Sequence, residues 1–171
     1  MPRTPVYVAA GSNVAPFVHL PRALDHLEHH FAPLRVSGAC ANAAVGFTGD
    51  DFVNLVVGFE TSLPVQEVIA RLHEAEAACG RTRDAPRWGP RSMDLDILLF
   101  GDTVCAEPGL TLPQLDLLRR PYMLRPAAEL VPDLVHPTEH RKLAELWRDM
   151  QRREPHALRP VDIGWRPRAS R

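Results

Sequence analysis

Arg87-Trp88-Gly89-Pro90-Arg91-Ser92-Met93-Asp94-Leu95-Asp96-Ile97-Leu98-Leu99-Phe100 runs a basic loop, shaped by Gly and Pro, directly into an apolar run that carries two carboxylates. The apolar run reads as a strand. Successive side chains alternate faces, so Asp94 and Asp96 are expected on one face and Leu95, Ile97 and Leu99 on the other, where they anchor the strand in a core. Two carboxylates held this close repel one another and tend to protonate, and a divalent cation removes that penalty. Mg²⁺ takes one or two carboxylates together with water and phosphate oxygens, and Arg87 and Arg91 supply forked donors suited to phosphate. The stretch reads as a site for Mg²⁺ and polyphosphate at the start of a strand.

Working outward, Pro5 to Ala10 forms a first short strand that stops at Gly11-Ser12-Asn13, a turn cluster that lets backbone approach a ligand. Leu20, Leu24, Leu27 and Phe31 recur at helical spacing with polar residues between them, which predicts an amphipathic helix. A second strand is expected around Leu34 to Ala41. A third follows from Phe52 to Glu60, with Val53, Leu55, Val57 and Phe59 on one face and Phe52 and Asn54 on the other. Ser62 and Pro64 open a second helix with the stripe Val65, Val68, Ile69, Leu72 and Cys79, and Gly80 stands where a C-terminal cap belongs. The order β-α-β-β-α-β up to Phe100 is that of an α+β, ferredoxin-like antiparallel sheet with helices packed on it. Beyond it come a short strand at Val104 to Ala106 and helical patterns near Tyr122 to Leu130 and Leu143 to Met150, a C-terminal elaboration.

The chain has 171 residues, 45% of them hydrophobic and 24% charged, enough for one buried core and too short for two. Residues 1–150 are expected to form a single domain. From Arg152 onward Arg and Pro dominate and apolar periodicity is lost, so 151–171 is expected to be a solvated tail. Twenty basic side chains against 21 acidic ones leave no net field for nucleic acid or anionic lipid. Cys40, Cys79 and Cys105 are odd in number and lie far apart, which argues against a disulfide framework or a zinc site and for reduced thiols. No apolar run reaches the roughly 20 residues of a membrane helix, and the N-terminus lacks a signal-peptide layout. A cytoplasmic protein, monomeric and without a nucleic-acid or membrane partner, is expected. The eight histidines are scattered, and none is assigned to metal or proton chemistry.

The stretch from Arg87 to Leu98 closely resembles the signature of the 6-hydroxymethyl-7,8-dihydropterin pyrophosphokinase family of folate synthesis. Gly11-Ser12-Asn13, Phe52-Val53-Asn54-Leu55, Glu76 followed by Gly80-Arg81-Thr82-Arg83, Leu110 to Pro113 and Arg120 to Leu124 extend the likeness in the family's order across roughly residues 5 to 136. The resemblance implies transfer of pyrophosphate from ATP to the hydroxymethyl oxygen of the pterin, with AMP as the second product. It implies two Mg²⁺ ions held by Asp94 and Asp96. Arg81 and Arg91 would act with those aspartates as the catalytic set, and Glu76, Arg83, Arg87, Trp88, Thr111 and Arg120 would shape the ATP site. Asn42, Val45, Phe52, Asn54 and Tyr122 would form the pterin pocket.

Judged by spacing alone, Phe52 and Tyr122 suit a core as well as they suit stacking platforms, and Asn54 in an apolar strand requires a buried partner of some kind. Where the family carries Tyr, Thr and Pro residues between its second and third strands, this chain reads Cys40-Ala41-Asn42-Ala43-Ala44-Val45-Gly46-Phe47. Gln114-Leu115 replaces a His-Tyr pair of well-known bacterial members near the nucleotide. A non-catalytic ferredoxin-like module that binds nucleotide or pterin is the alternative reading, and the altered loop is what favours it.

Overall fold

In the computed structural model, residues 2–44, 49–81, 92–153 and 156–168 are described. The elements run β1 (Thr4–Ser12), α1 (Pro16–Phe31), β2 (Arg35–Val36), β3 (Ala39–Asn42), β4 (Phe52–Thr61), α2 (Val65–Ala78) and β5 (Asp94–Phe100). A small hairpin of β6 (Cys105–Glu107) and β7 (Leu110–Leu112) follows. A 3₁₀ turn at Leu115–Leu118, α3 (Pro121–Leu130), α4 (Leu143–Arg153) and β8 (Arg159–Val161) complete the chain.

The main sheet has the order β5-β1-β4-β3-β8, with β2 also on β4 and every pairing antiparallel. Two split βαβ units interleave to give this order: β4 lies between β1 and β3, and β1 lies between β4 and β5. That is the ferredoxin-like arrangement expected from the element order. Pro16 at the first helical position presets φ for α1, and Pro64 precedes α2 as its N-cap. Gly80 ends α2 at φ 85°, a backbone conformation that other residues resist, and so turns the chain toward β5.

One face of the sheet buries Val6, Val8, Val53, Leu55 and Val57 against Leu20, Leu24 and Leu27 of α1 and Val68 and Leu72 of α2. Phe31 stacks on Phe59 with ring centroids 4.2 Å apart. Each fully buried leucine contributes about 1.5–3 kcal/mol by leaving water. The opposite face packs Ala9 and Val56 under Met123, Leu124 and Ala127 of α3 and Leu143 and Met150 of α4, so helices cover both sides.

Three expectations change. The strand predicted from Leu34 to Ala41 is two pieces, broken at Ser37-Gly38, where the Ser37 hydroxyl takes a hydrogen bond from the Val56 amide in place of a ladder partner. Leu99 packs on the α3 face, not with Leu95 and Ile97, because the β1–β5 register slips between Tyr7 and Val8 and a strand bulge reverses the alternation beyond it. The segment after Arg152 is not a solvated arm. Ala39 pairs with Val161 as β8 extends the sheet, and Trp165, 7% exposed, enters the core with Nε1 donating to Asp25 at 2.9 Å. The Arg168 amide donates to the buried carboxylate of Glu28 at 3.1 Å. One aromatic anchor and three ladder residues suffice to dock a segment whose composition reads as polar.

Candidate active site

Antiparallel pairing sets the site's frame. Gly11 of β1 faces Asn54 of β4 on one side and Asp94 of β5 on the other, and Ala9 likewise faces Val56 and Asp96. Directly paired residues share a face, so Asp94, Asp96 and Asn54 all lie on the side covered by α3. Asp94 and Asn54 stand about 10 Å apart, two strand spacings. A side chain on Gly11 would run into the carboxamide oxygen of Asn54, and glycine there keeps the space between carboxylate and carboxamide open.

Arg81 follows directly on the Gly80 turn. Its guanidinium donates to Glu76 Oε2 at 2.5 Å, to Asp94 Oδ1 at 2.8 Å and to the Met93 carbonyl at 3.3 Å. Glu76, only 3% exposed, also accepts the Leu95 amide at 2.9 Å through that same oxygen. Burial works against the charge of Arg81, but the carboxylates of Glu76 and Asp94 outweigh it and raise its pKa further. Glu76 is therefore a buried brace, tying α2 to the first residues of β5 and fixing the arginine.

Asp96 is less well compensated. Burial, and then the negative charges of Asp94 and Glu76, push its carboxyl up to about 7, with Asp116 adding to the effect and Arg81 only partly offsetting it. Tyr122, at the start of α3, has its hydroxyl pKa raised by burial, with Asp116, Asp94 and Asp96 adding to the rise and Arg120 opposing it. The two aspartates, Asp116, Arg120 and Tyr122 thus feel one another. Asp116 is a member of this group that sequence reasoning missed, because a single carboxylate in a 3₁₀ turn carries no pattern. Its ion pair with Arg120 spans 3.9 Å.

These residues fit a divalent cation. Hard oxygen donors converge on one face, and a carboxyl held near neutrality by its neighbours gains most from added positive charge.

On the β4 side, Asn54 Nδ2 donates to Asn42 Oδ1 at 2.7 Å, and Asn42 Nδ2 donates to the Ala43 carbonyl at 3.1 Å; both asparagines are 9% exposed. The buried partner that Asn54 requires is thus Asn42, the last residue of β3, in the stretch that departs from the family pattern. Phe52, half-buried, neighbours Asn54 on the same face. Next to Asp96 a cavity of about 130 Å³ opens between α2 and the β6–β7 hairpin, and Ile69, His73, Ile97, Thr111 and Gln114 help to line it. Larger grooves of about 530 and 450 Å³, along α4 and beside β8, hold none of the expected catalytic, ATP-binding or pterin-binding residues. Arg83, Arg87, Trp88, Arg91 and Val45 lie outside the described residues.

Residues 7–132 match the family model for 7,8-dihydro-6-hydroxymethylpterin-pyrophosphokinase. A 2-amino-4-hydroxy-6-hydroxymethyldihydropteridine pyrophosphokinase of Pseudomonas aeruginosa is 39% identical over 149 residues, covering 82% of this chain and 88% of that protein. The enzyme of the same name from Aquifex aeolicus is 32% identical over 142 residues with the same two coverages. Among solved structures, Plasmodium falciparum HPPK-DHPS with pterin and p-hydroxybenzoate superposes with a TM-score of 0.69 at 12% identity, over 90% of this chain and 42% of that one, a likeness of fold. On the family match and the two relatives, the chain belongs to the 7,8-dihydro-6-hydroxymethylpterin-pyrophosphokinase family.

Proposed function

We propose that this protein transfers the terminal pyrophosphoryl group of ATP to the hydroxymethyl oxygen of 6-hydroxymethyl-7,8-dihydropterin, releasing AMP, as a step of folate synthesis. The observation that carries the reading is the single row Asp94, Gly11, Asn54, which sets a phosphate end and a ring end on one face of one sheet. The pterin hydroxyl attacks the β-phosphorus, a new P–O bond forms, and the bond to the AMP oxygen breaks. Such transfer depends mainly on alignment and charge neutralisation, since the nucleophile belongs to the substrate. Arg81, fixed by Glu76, presents its positive charge to the transferring phosphates. Asn54 and Asn42 read the polar edge of the pterin with carboxamide donors and acceptors, while Phe52 and Tyr122 offer ring faces to it. Thr111, beside Asp96, borders the nucleotide, with Arg120 paired to Asp116.

Asp94 and Asp96 would hold Mg²⁺, two ions by family resemblance, which when bound draws negative charge off the phosphate oxygens. Arg83, Arg87, Trp88 and Arg91 complete the ATP and phosphate side, and Val45 the pterin wall. On this reading the protein works as a monomer in the cytoplasm, where its free cysteines stay reduced.

The test is to incubate purified protein with ATP, Mg²⁺ and the pterin and to follow AMP. One AMP per pterin diphosphate is expected. Well-folded protein that binds pterin yet releases no AMP would establish the binding-module alternative instead.

A further inference from the structure

On the face of the molecule that α1 and α2 cover, His26 and His30 stand one helical turn apart and meet Glu74 from the neighbouring helix. Their Nε2 atoms lie 3.8 and 3.9 Å from the same oxygen, Glu74 Oε2, and the three ligand atoms all fall within 4.8 Å of one another. The other carboxylate oxygen, Oε1, takes the Arg71 guanidinium at 2.8 Å, which turns Oε2 toward the imidazoles. The geometry points to a binding site for a divalent transition cation of the imidazole-seeking class, Zn²⁺ foremost, formed by His26, His30 and Glu74.

Three observations carry this. The nitrogen-to-oxygen separations are too long for hydrogen bonds, which require about 2.9 Å. The two separations come within about half an ångström of the roughly 3.3–3.5 Å between ligands around a tetrahedral ion with bonds of about 2.0–2.2 Å, and the imidazole nitrogens, within 4.8 Å of each other, close by side-chain rotation of about an ångström. His26 Nε2 is shut off from solvent and has no hydrogen-bond partner among the described residues, a cost that a ligated cation would remove. Two imidazoles at i and i+4 with a carboxylate from a second element form a mixed nitrogen and oxygen set that suits Zn²⁺, Ni²⁺ or Cu²⁺ and not Mg²⁺.

This site is separate from the aspartates. Glu74 and Glu76 are two apart on α2, a spacing that points them to different sides of the helix, and only Glu76 meets Arg81. A cation at Glu74 would clip α1 to α2 behind the sheet and stabilise the fold by binding only the folded chain. Sequence spacing hid it, because His26 and His30 look like two of many polar positions on α1 until α2 brings up the third ligand.

The test uses the full chain carrying Asp94→Asn and Asp96→Asn, so that the acidic pair does not compete, stripped with chelator and titrated with Zn²⁺ against a chromophoric competitor. One equivalent is expected to bind, with the ring resonances of His26 and His30 shifting in nitrogen-edited NMR. Adding His26→Gln and His30→Gln should weaken binding at least a hundredfold, and Glu74→Gln at least tenfold. Circular dichroism checks that each variant folds, which their partly exposed side chains favour. Failure to take up Zn²⁺, or uptake unchanged by the His26 and His30 substitutions, overturns the assignment.

Discussion

One carboxylate oxygen of Glu76 holds both the guanidinium of Arg81 and the backbone amide of Leu95, the residue between the two aspartates. The positive charge of the site and the strand that carries its negative charges are thus located by a single buried atom. Glu76→Gln keeps an acceptor for Leu95 but loses the charge that fixes Arg81. It should cost about 1–3 kcal/mol in urea unfolding, the range for a buried charged group losing its counterpart. Turnover should fall tenfold or more with the KM for pterin little changed. A variant with normal kcat would show that Arg81 needs no brace.

Asp96 makes stability depend on pH in the metal-free protein. Its folded-state pKa is raised to about 7 from the ordinary carboxylate value of 3.8. The folded form therefore favours the protonated acid; this contribution is present below about pH 4 and is lost as pH climbs through about 7. With chelator at pH 8, Asp96→Asn should be more stable than the parent by a few kcal/mol, because each tenfold change in proton affinity on folding is worth about 1.4 kcal/mol. The gap should close toward pH 4. Adding Mg²⁺ at pH 8 should stabilise the parent and not the variant, and the variant should not turn over. Denaturant melts across that range read all of this, and a gap independent of pH would contradict the burial of Asp96 as its cause.

Gly11→Ala places a methyl group against the Asn54 carboxamide. Asn54 has to swing away from Asn42 or the strands have to part, at a cost of about 1–3 kcal/mol for overpacking. Steady-state kinetics should show the KM for pterin rising at least tenfold while the KM for ATP stays within a factor of about two. Equal effects on both substrates would mean that the row from Asp94 to Asn54 does not divide the site as described.

Trp165→Ala removes the anchor of the C-terminal segment and its hydrogen bond to Asp25. A loss of about 3–5 kcal/mol is expected, the range for a large buried aromatic. At a temperature where the variant stays folded, kcat should match the parent, because Trp165 packs on the α1 face and away from the aspartates. Thermal melts and initial rates together check this.

The periodic elements were legible from residues alone. Leu20, Leu24, Leu27 and Phe31 mark α1, and the alternation from Phe52 to Phe59 marks β4, because burial against one layer stamps a fixed spacing on the sequence. Asp94 and Asp96 were legible for the same reason. The face of Leu99 was not, since a bulge is a mismatch between two strands and is written in neither. β8 is three residues containing a proline, and only its pairing with Ala39 to Ala41 makes it a strand. Within the site, Asn42 looked like a departure from a pattern, and the structure makes it the partner of Asn54. Asp116 joins the carboxylates only through the turn after β7.

The interleaving of the two βαβ units has a kinetic consequence. Neither unit alone completes the row, since Asp94 and Asn54 belong to the second unit while Gly11, which stands between them, and Asn42, which takes the hydrogen bond of Asn54, belong to the first. Partial folding of the second unit alone leaves its aspartates and Asn54 without the strand between them that sets their spacing. Occupancy by both substrates should slow amide exchange in β1 and β4 together, as one cooperative unit.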